Sequence, residues 1–386
     1  MKKLVVLLFL IAPQVFAQAD LASHEAQLKT ALFAVENARS SRPDLCSPRS
    51  VRADTLFLVK DRDWTSGFFP GNLWLMYELT GKDFWKDKAL ENTMHLEHIK
   101  NYGGTHDLGF MMYCSFGNAL RLTNDASLKP VLVQAAKTLS GRFDEKIGLI
   151  RSWDHNSNSW KYPVIIDNMM NLELLFWASK ETNDPQFREI AITHAQNTIK
   201  HHYRPDGSSF HVVSYDPATG LPEKKNTHQG FSDASAWARG QAWGLYGYTM
   251  TYRETGQKEF LDQAVKIGHF LINHPRTPAD LIPYWDYDDP AIPHVPRDVS
   301  AAAIMASALL ELGTFDIPEA PQFLAYGKAL IKSIQASYLS PVSTNLGFIT
   351  DHSTGHLPAK HEIDTPIVYA DYYYLEALTR LQKLDK

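Results

Sequence analysis

Apolar residues recur at three- and four-residue spacing in twelve stretches of the chain: 22–39, 70–80, 83–99, 108–123, 128–140, 167–181, 185–202, 235–254, 258–273, 298–313, 321–338 and 367–383. That period lines the apolar side chains of each stretch along one stripe of a helix, and each stretch is long enough to form one. Short punctuation joins them: Thr80-Gly81 before Phe84, Thr123-Asn124 before Leu128, Thr182-Asn183 before Phe187, Thr255-Gly256 before Phe260, and Gly313-Thr314 before Phe323. Gly or Asn takes the left-handed conformation that closes a helix, and a following Asp or Pro opens the next, most clearly at Asp184-Pro185. The pattern is a degenerate repeat of helical hairpins.

Six hairpins closed into a toroid bury the apolar stripe of every inner helix, whereas an open solenoid leaves two ends that need polar caps. Closure is the expectation, with the longer aromatic- and glycine-rich connections 61–70, 101–107, 150–166, 203–233 and 277–297 gathered on one rim. Functional loops belong there. A β-rich fold needs many alternating runs, and only short candidates such as 209–214 occur.

Composition narrows the class. With 386 residues, 44% hydrophobic and 21% charged, two cysteines and a net charge of -5, the chain is not a small disulfide scaffold, a disordered polymer or a basic nucleic-acid module. A small anionic sugar held by a few local cations remains compatible with that balance. Lys2 and Lys3, the apolar run from Leu4 to Ala12, and Val15-Phe16-Ala17 read as a signal peptide over 1–17. The run falls short of the roughly 20 residues a bilayer needs, so no membrane span is expected once the leader is removed. Export follows, with the periplasm as the expected compartment, and 18–386 is expected to form one catalytic domain because no linker divides it. Export makes a Cys46–Cys114 disulfide chemically permissible, and two buried thiols are the alternative. The amphipathic periods carry no oligomeric state.

Candidate chemistry sits at helix entrances. Asp107 in Thr105-His106-Asp107-Leu108-Gly109-Phe110 and Asp167 in Val164-Ile165-Ile166-Asp167-Asn168-Met169-Met170 each precede an apolar run. Each reads as a helix cap or as a catalytic carboxylate. Closure would bring both to one rim, where desolvation and a second carboxylate raise the proton affinity of one of the pair. The segment Gly230 to Gly247 puts Ser235, Arg239 and Trp243 on one helical face. Arg239 can bind a carboxylate or hold a neighbouring loop, and Trp243 can stack on a pyranose. Asp233 reads as the cap of that helix. Trp64, Trp153, His211, His228 and Gln229 supply further polar and aromatic groups from the loops. No metal site is expected, because His106, His201, His202 and His211 lack a ligand spacing, and no phosphate or dinucleotide loop occurs.

At Thr105–Phe110, Ile166–Met170 and Trp237–Gly247 the chain resembles glycoside hydrolase family 88, the unsaturated glucuronyl hydrolases, over essentially its whole mature length. Supporting segments are Trp64 to Phe68, Asp206-Gly207 with Phe210-His211, Asp298 with Ser300 to Ala303, and Tyr369 to Leu378. The resemblance implies an all-α (α/α)6 barrel that releases the terminal 4,5-unsaturated uronic acid from lyase-generated, most expectedly glycosaminoglycan-derived, oligosaccharides. It implies Asp167 as the acid/base, Asp107 as its tuning partner, and Trp64, His211, Gln229, Arg239 and Trp243 at the sugar; Trp153 is expected beside them as a substrate-binding residue from its loop. No metal or organic cofactor is implied, since aspartate supplies the proton steps. The loop 351–364, with His352, Ser353, His356 and Lys360, is expected either to contact an anionic neighbouring sugar or to be a solvated turn. Two other readings stand beside this one: an unsaturated rhamnogalacturonyl hydrolase acting on pectin fragments, and a carbohydrate-binding barrel without activity.

Overall fold

The computed structural model describes residues 12–385, the side chains of 12–20 and of Cys46 excepted. Most of the leader 1–17 and any pairing of Cys46 therefore lie outside the described residues; Cys114 is a buried free thiol. Helices dominate: α1 (Ala12–Ser41), α2 (Phe68–Thr80), α3 (Asp83–Met94), α4 (Leu108–Met112) passing through a π-turn (Tyr113–Gly117) into α5 (Asn118–Thr123), and α6 (Lys129–Ser140). The second half continues with α7 (Leu172–Thr182), α8 (Pro185–His202), α9 (Ala238–Thr255), α10 (Lys258–Ile272), α11 (Val299–Leu312), α12 (Ala320–Ser337) and α13 (Val368–Leu384).

Burial sorts them into two layers. In α9 every residue from Ala238 to Thr251 is buried, and α2, α11 and α13 are similarly enclosed over their first turns. A helix buried on all sides must be surrounded. These helices, with α4–α5 and α7, form a closed inner ring in the order α2, α4–α5, α7, α9, α11, α13 and back to α2. Helices α3, α6, α8, α10 and α12 pack outside it. Helix α1 completes the outer layer: its His24 ring nitrogen lies 3.1 Å from the Tyr374 hydroxyl of α13, and its Glu25 accepts from Trp85 Nε1 of α3 at 2.8 Å. Outer and inner helices alternate along the chain, which is the (α/α)6 barrel, and one apolar core runs through it from Leu28 to Ala377.

The punctuation mostly acts as expected. Gly81, Asn124, Asn183 and Gly256 all close their helices with positive φ, and Asp184 caps α8 by accepting from the Gln186 N–H. Gly313 does not, because its φ is -73°. The stretch 83–99 breaks after Met94 into a 3-10 turn, Glu97–Asn101. Helix α9 starts at Ala238 rather than 235 because Trp237 is extended and pairs with Asp286.

Strands also appear that helical periodicity does not reveal. β1 (Leu45–Arg52) and β2 (Thr55–Lys60) form a hairpin through Ala53 and Asp54, both at positive φ, the backbone signature of a tight two-residue turn. β3 (Phe143–Asp144) pairs with β4 (Leu149–Ile150). β5 (Pro163–Ile165), β6 (Val212–Tyr215) and β7 (Pro222–Asn226) make a small antiparallel sheet at the rim. No helix among the described residues is long and apolar enough to cross a membrane.

Candidate active site

Neither aspartate is a helix cap. Asp107 stands just before α4 and makes no bond to its free N–H groups. Thr105 Oγ1 donates to its Oδ2 at 2.5 Å, and His106 Nε2 lies 3.1 Å from its Oδ1. Asp167 is in the 3-10 turn Ile166–Asn171 that feeds α7, and it too caps nothing. The β5–β6 pairing carries on for one residue, with the Ile166 N–H donating to the His211 carbonyl at 3.1 Å, which sets His211 beside the Asp167 turn.

The two entrances are held together by backbone proximity. Phe110 N–H donates to Asn171 Oδ1 at 2.8 Å, joining the Asp107 helix to the Asp167 turn. A Cβ on Gly109 would lie 2.5 Å from Asn171 Cα, so only glycine permits that approach. Gly247 does the same on the other side, where a Cβ would meet Met169 Cβ at 2.5 Å. The small residues of α9 thus serve close crossing.

Both carboxylates line a cavity of about 390 Å³ at this mouth. Their charge states are set in opposite directions. Burial drives the Asp167 carboxyl up to about 7; His106 and Arg239 pull against this, and Asp107 adds to it. Burial acts on Asp107 as well, but His106, Thr105 and Arg142 outweigh it and hold that carboxyl below its ordinary range. Near neutral pH one acid can therefore carry a proton while its neighbour is an anion.

Burial drives the His211 imidazole well below its usual range, and the neighbouring His228 and Arg239 add to this, which favours the neutral ring. The network assigns its tautomer. Gln229 Nε2 donates to the Gly355 carbonyl at 3.3 Å, which turns Gln229 Oε1 toward His211 Nε2 at 3.1 Å. The imidazole hydrogen is then on Nε2, and the bare Nδ1 faces Asp167 Oδ1 at 3.7 Å. Asp167 Oδ1, His211 Nδ1, His106 Nδ1 and Trp153 Nε1 are all buried without a hydrogen-bond partner, and His106, Trp153 and Asp167 line this cavity.

Of the sequence candidates, Trp64, Trp153, His228, Gln229, Arg239 and His356 also line the cavity, and His211 stands behind Asp167. Trp64 packs against Tyr369 with ring centroids 5.0 Å apart, and Trp153 stacks on His155 at 5.3 Å. Arg239 is wholly buried between Trp237 and Tyr369 and donates to Asp298 Oδ2 at 2.9 Å, to the Thr354 carbonyl at 2.6 Å and to the Gly355 carbonyl. Its first observed role is to hold a loop, while its charge reaches Asp167.

Three expectations are corrected. Trp243 is not brought to the cavity: it lies one helical turn beyond Arg239 on the same face of α9, fully buried against Phe110 and Tyr373. Lys360 sits exposed at the tip of a turn with φ 56°, outside the cavity lining, although His356 and His361 on either side of it reach the cavity. Asp233 holds the loop at Asn226 and Thr227, with both contacts at 2.9 Å, and does not cap α9. Sequence reasoning missed Arg49, Glu362 and Tyr369. Arg49 lies on β1 and makes a bidentate pair with Glu362, at 2.6 and 3.0 Å, that ties the hairpin to loop 351–364 across the cavity wall. Tyr369 lay within a quoted motif, but nothing in its spacing set it apart from Tyr372 to Tyr374.

The opposite mouth of the ring also opens into a cavity, of about 530 Å³, with the inner helices' far ends around it. Its charges are matched in series: Lys383 and Arg121 on Glu78, Arg253 on Glu173 and on Glu311 at 2.7 Å, and Arg380 on Glu311. Tyr246 donates to Glu376 at 3.0 Å. Among the described residues, no buried polar side-chain atom lining this mouth lacks a partner.

Comparison with known proteins places this geometry. A family model described as Glycosyl Hydrolase Family 88 matches residues 48–314. An unsaturated glucuronyl hydrolase of Formosa agariphila is 49% identical over 337 residues, covering 87% of this chain and 84% of that protein. An unsaturated chondroitin disaccharide hydrolase of Streptococcus pyogenes serotype M1 is 32% identical, over 96% of this chain and 95% of its own length. Among solved structures, that of an unsaturated glucuronyl hydrolase specific for heparin superposes with a TM-score of 0.91 at 46% identity, covering 96% of this chain and 98% of the other.

Proposed function

The chain belongs to glycosyl hydrolase family 88, and on that premise we propose that it is an unsaturated glucuronyl hydrolase, releasing the terminal 4,5-unsaturated uronic acid from glycosaminoglycan fragments left by a polysaccharide lyase. The observation that carries the assignment is the split pair: Asp167 held protonated to about pH 7 beside an anionic Asp107 in one cavity. The substrate's C4=C5 bond is a vinyl ether, so the reaction begins with proton delivery to carbon. Asp167 gives its proton to C4, and positive charge spreads over C5 and the ring oxygen. Water then adds at C5 with the Asp167 carboxylate as base, and the resulting hemiketal opens and releases the rest of the chain. Asp107 keeps Asp167 basic enough to reclaim a proton and accepts from sugar hydroxyls. Because bond-breaking at the anomeric carbon follows hydration, the carboxylate separations that distinguish retaining from inverting glycosidases do not apply. General acid and base action of this kind contributes a factor of about 10²–10⁴.

Likeness to the heparin-specific enzyme supports placing heparin-derived disaccharides ahead of chondroitin-derived ones. Export to the periplasm is supported by the basic and then apolar leader 1–17. The deciding experiment is a panel of unsaturated heparin, chondroitin, hyaluronan and pectin disaccharides, followed by loss of the double-bond absorbance. Consumption of glycosaminoglycan disaccharides is expected. Turnover of the pectin fragments alone would make this a rhamnogalacturonyl hydrolase, and binding without loss of absorbance would make it a carbohydrate-binding barrel.

A further inference from the structure

Asp298 belongs to no part of the reaction as described, yet it is fully buried and joins three elements behind the cavity-lining Arg239. It is the N-cap of α11, its Oδ1 accepting from the Ser300 N–H at 3.1 Å and the Ala301 N–H at 3.4 Å. The same Oδ1 accepts from the Thr354 N–H of the closing loop at 3.4 Å. Its Oδ2 pairs with Arg239 Nη1 at 2.9 Å, and that guanidinium also grips the Thr354 and Gly355 carbonyls. A helix start, a loop and a cavity cation thus share one carboxylate. Gly355 in turn accepts from Gln229, which fixes the His211 tautomer.

We propose that Asp298 is a positioning residue for the hydration step: it holds Arg239 and the 354–355 turn in place and sets how much of the Arg239 charge Asp167 feels. The proposal rests on the reading of Asp167 as the acid. The groups facing Asp167 are His106 and Asp107 ahead of α4, His211 at the edge of β6 and Arg239 on α9. Those facing Arg239 are Asp167, Asp298, Tyr369 and Glu362. A neutral residue at 298 leaves the Arg239 charge less compensated. That favours the Asp167 carboxylate and takes away the proton the reaction needs.

The test uses Asp298→Asn and Asp298→Ser in the full chain, since Asn and Ser both cap helices and so preserve the start of α11. The pH dependence of kcat/KM on an unsaturated heparin disaccharide is measured alongside an infrared titration of the carboxyl band that Asp167→Asn lacks. The descending limb and the infrared midpoint are both expected to move to lower pH in either variant, and to higher pH in Arg239→Gln. Lost activity or melting temperature with limb and midpoint unmoved would show a structural role only and overturn the proposal. If neither Asp298 variant folds, an unmoved infrared midpoint in Arg239→Gln overturns it. The infrared midpoint needs no substrate, so inactivity of the unaltered protein on the whole panel would defeat the functional reading while leaving this one measured separately.

Discussion

The two mouths of the ring are built from the same six inner helices and are both rich in charge, yet they differ in one respect. At the far mouth every carboxylate has its cation, and no buried polar atom among the described residues lining it is left over. At the near mouth Asp167, His211, His106 and Trp153 keep buried atoms without partners; carboxyls driven in opposite directions occur at both, Asp167 and Asp107 here and Glu173 and Glu311 there. Cavity size does not separate them, since the far one is the larger. Unmet bonding capacity does: an unsatisfied buried group costs stability, and at the near mouth His106, Trp153 and Asp167 turn that capacity to a cavity where a ligand can meet it.

The sharpest way to break this contrast is Asp167→Asn. Turnover should fall by about 10²–10⁴ or more with the circular dichroism spectrum unchanged, and substantial turnover by the folded variant would remove Asp167 from the chemistry. The same variant tests the cost of the near mouth. A carboxyl raised in the folded state favours folding at pH values below its ordinary range, and that contribution is lost as pH rises to about 7. Asp167→Asn should therefore melt higher than the parent at pH 8, and the difference should vanish by pH 4.

Activity should next follow the Asp167 proton: kcat/KM falling up to tenfold per pH unit above about 7. A flat profile to pH 9 would show that another group supplies the proton. At the far mouth, Arg253→Met strands Glu173 and leaves Glu311 with Arg380 alone, and should cost about 1–3 kcal/mol of stability, read from thermal melts, with kcat/KM unchanged. A kinetic defect in a folded Arg253→Met protein would mean that the two ends are coupled. The smallest effect is expected at Lys360→Ala, at most about fivefold, and equal on sulfated and unsulfated disaccharides. A selective loss on the sulfated one would return loop 351–364 to a discriminating role.

Legibility in the sequence followed the range of the forces involved. Helices and their stops were readable because capping and amphipathic spacing act within a few residues, as at Asn183 and Asp184-Pro185. Asp107 and Asp167 were readable as candidates, but their rejection as caps needed the fold, since local sequence presents the same aspartate either way. The β1–β2 hairpin was missed because its burial does not alternate and its turn uses Ala53 and Asp54 in place of Asn-Gly. Arg49 and Glu362 are more than three hundred positions apart and meet only through ring closure. Trp243 was misplaced because periodicity says which residues share a face and not how far along the helix the cavity reaches: Arg239 on the same face lines it, and Trp243 is one turn deeper.

All the inner helices run the same way, starting at or close to Trp64, Asp107, Asp167, Arg239, Asp298 and Tyr369 and with their last turns near Arg121, Arg253 and Lys383. Each helix start carries roughly half a positive charge, so the barrel is polarised along its axis like a bundle of parallel dipoles. An acidic sugar drifting toward a molecule of net charge -5 is repelled at long range but drawn in by the lip of the pore. The encounter rate is then a contest between two fields of different reach, which added salt screens unequally, the weaker long-range repulsion first.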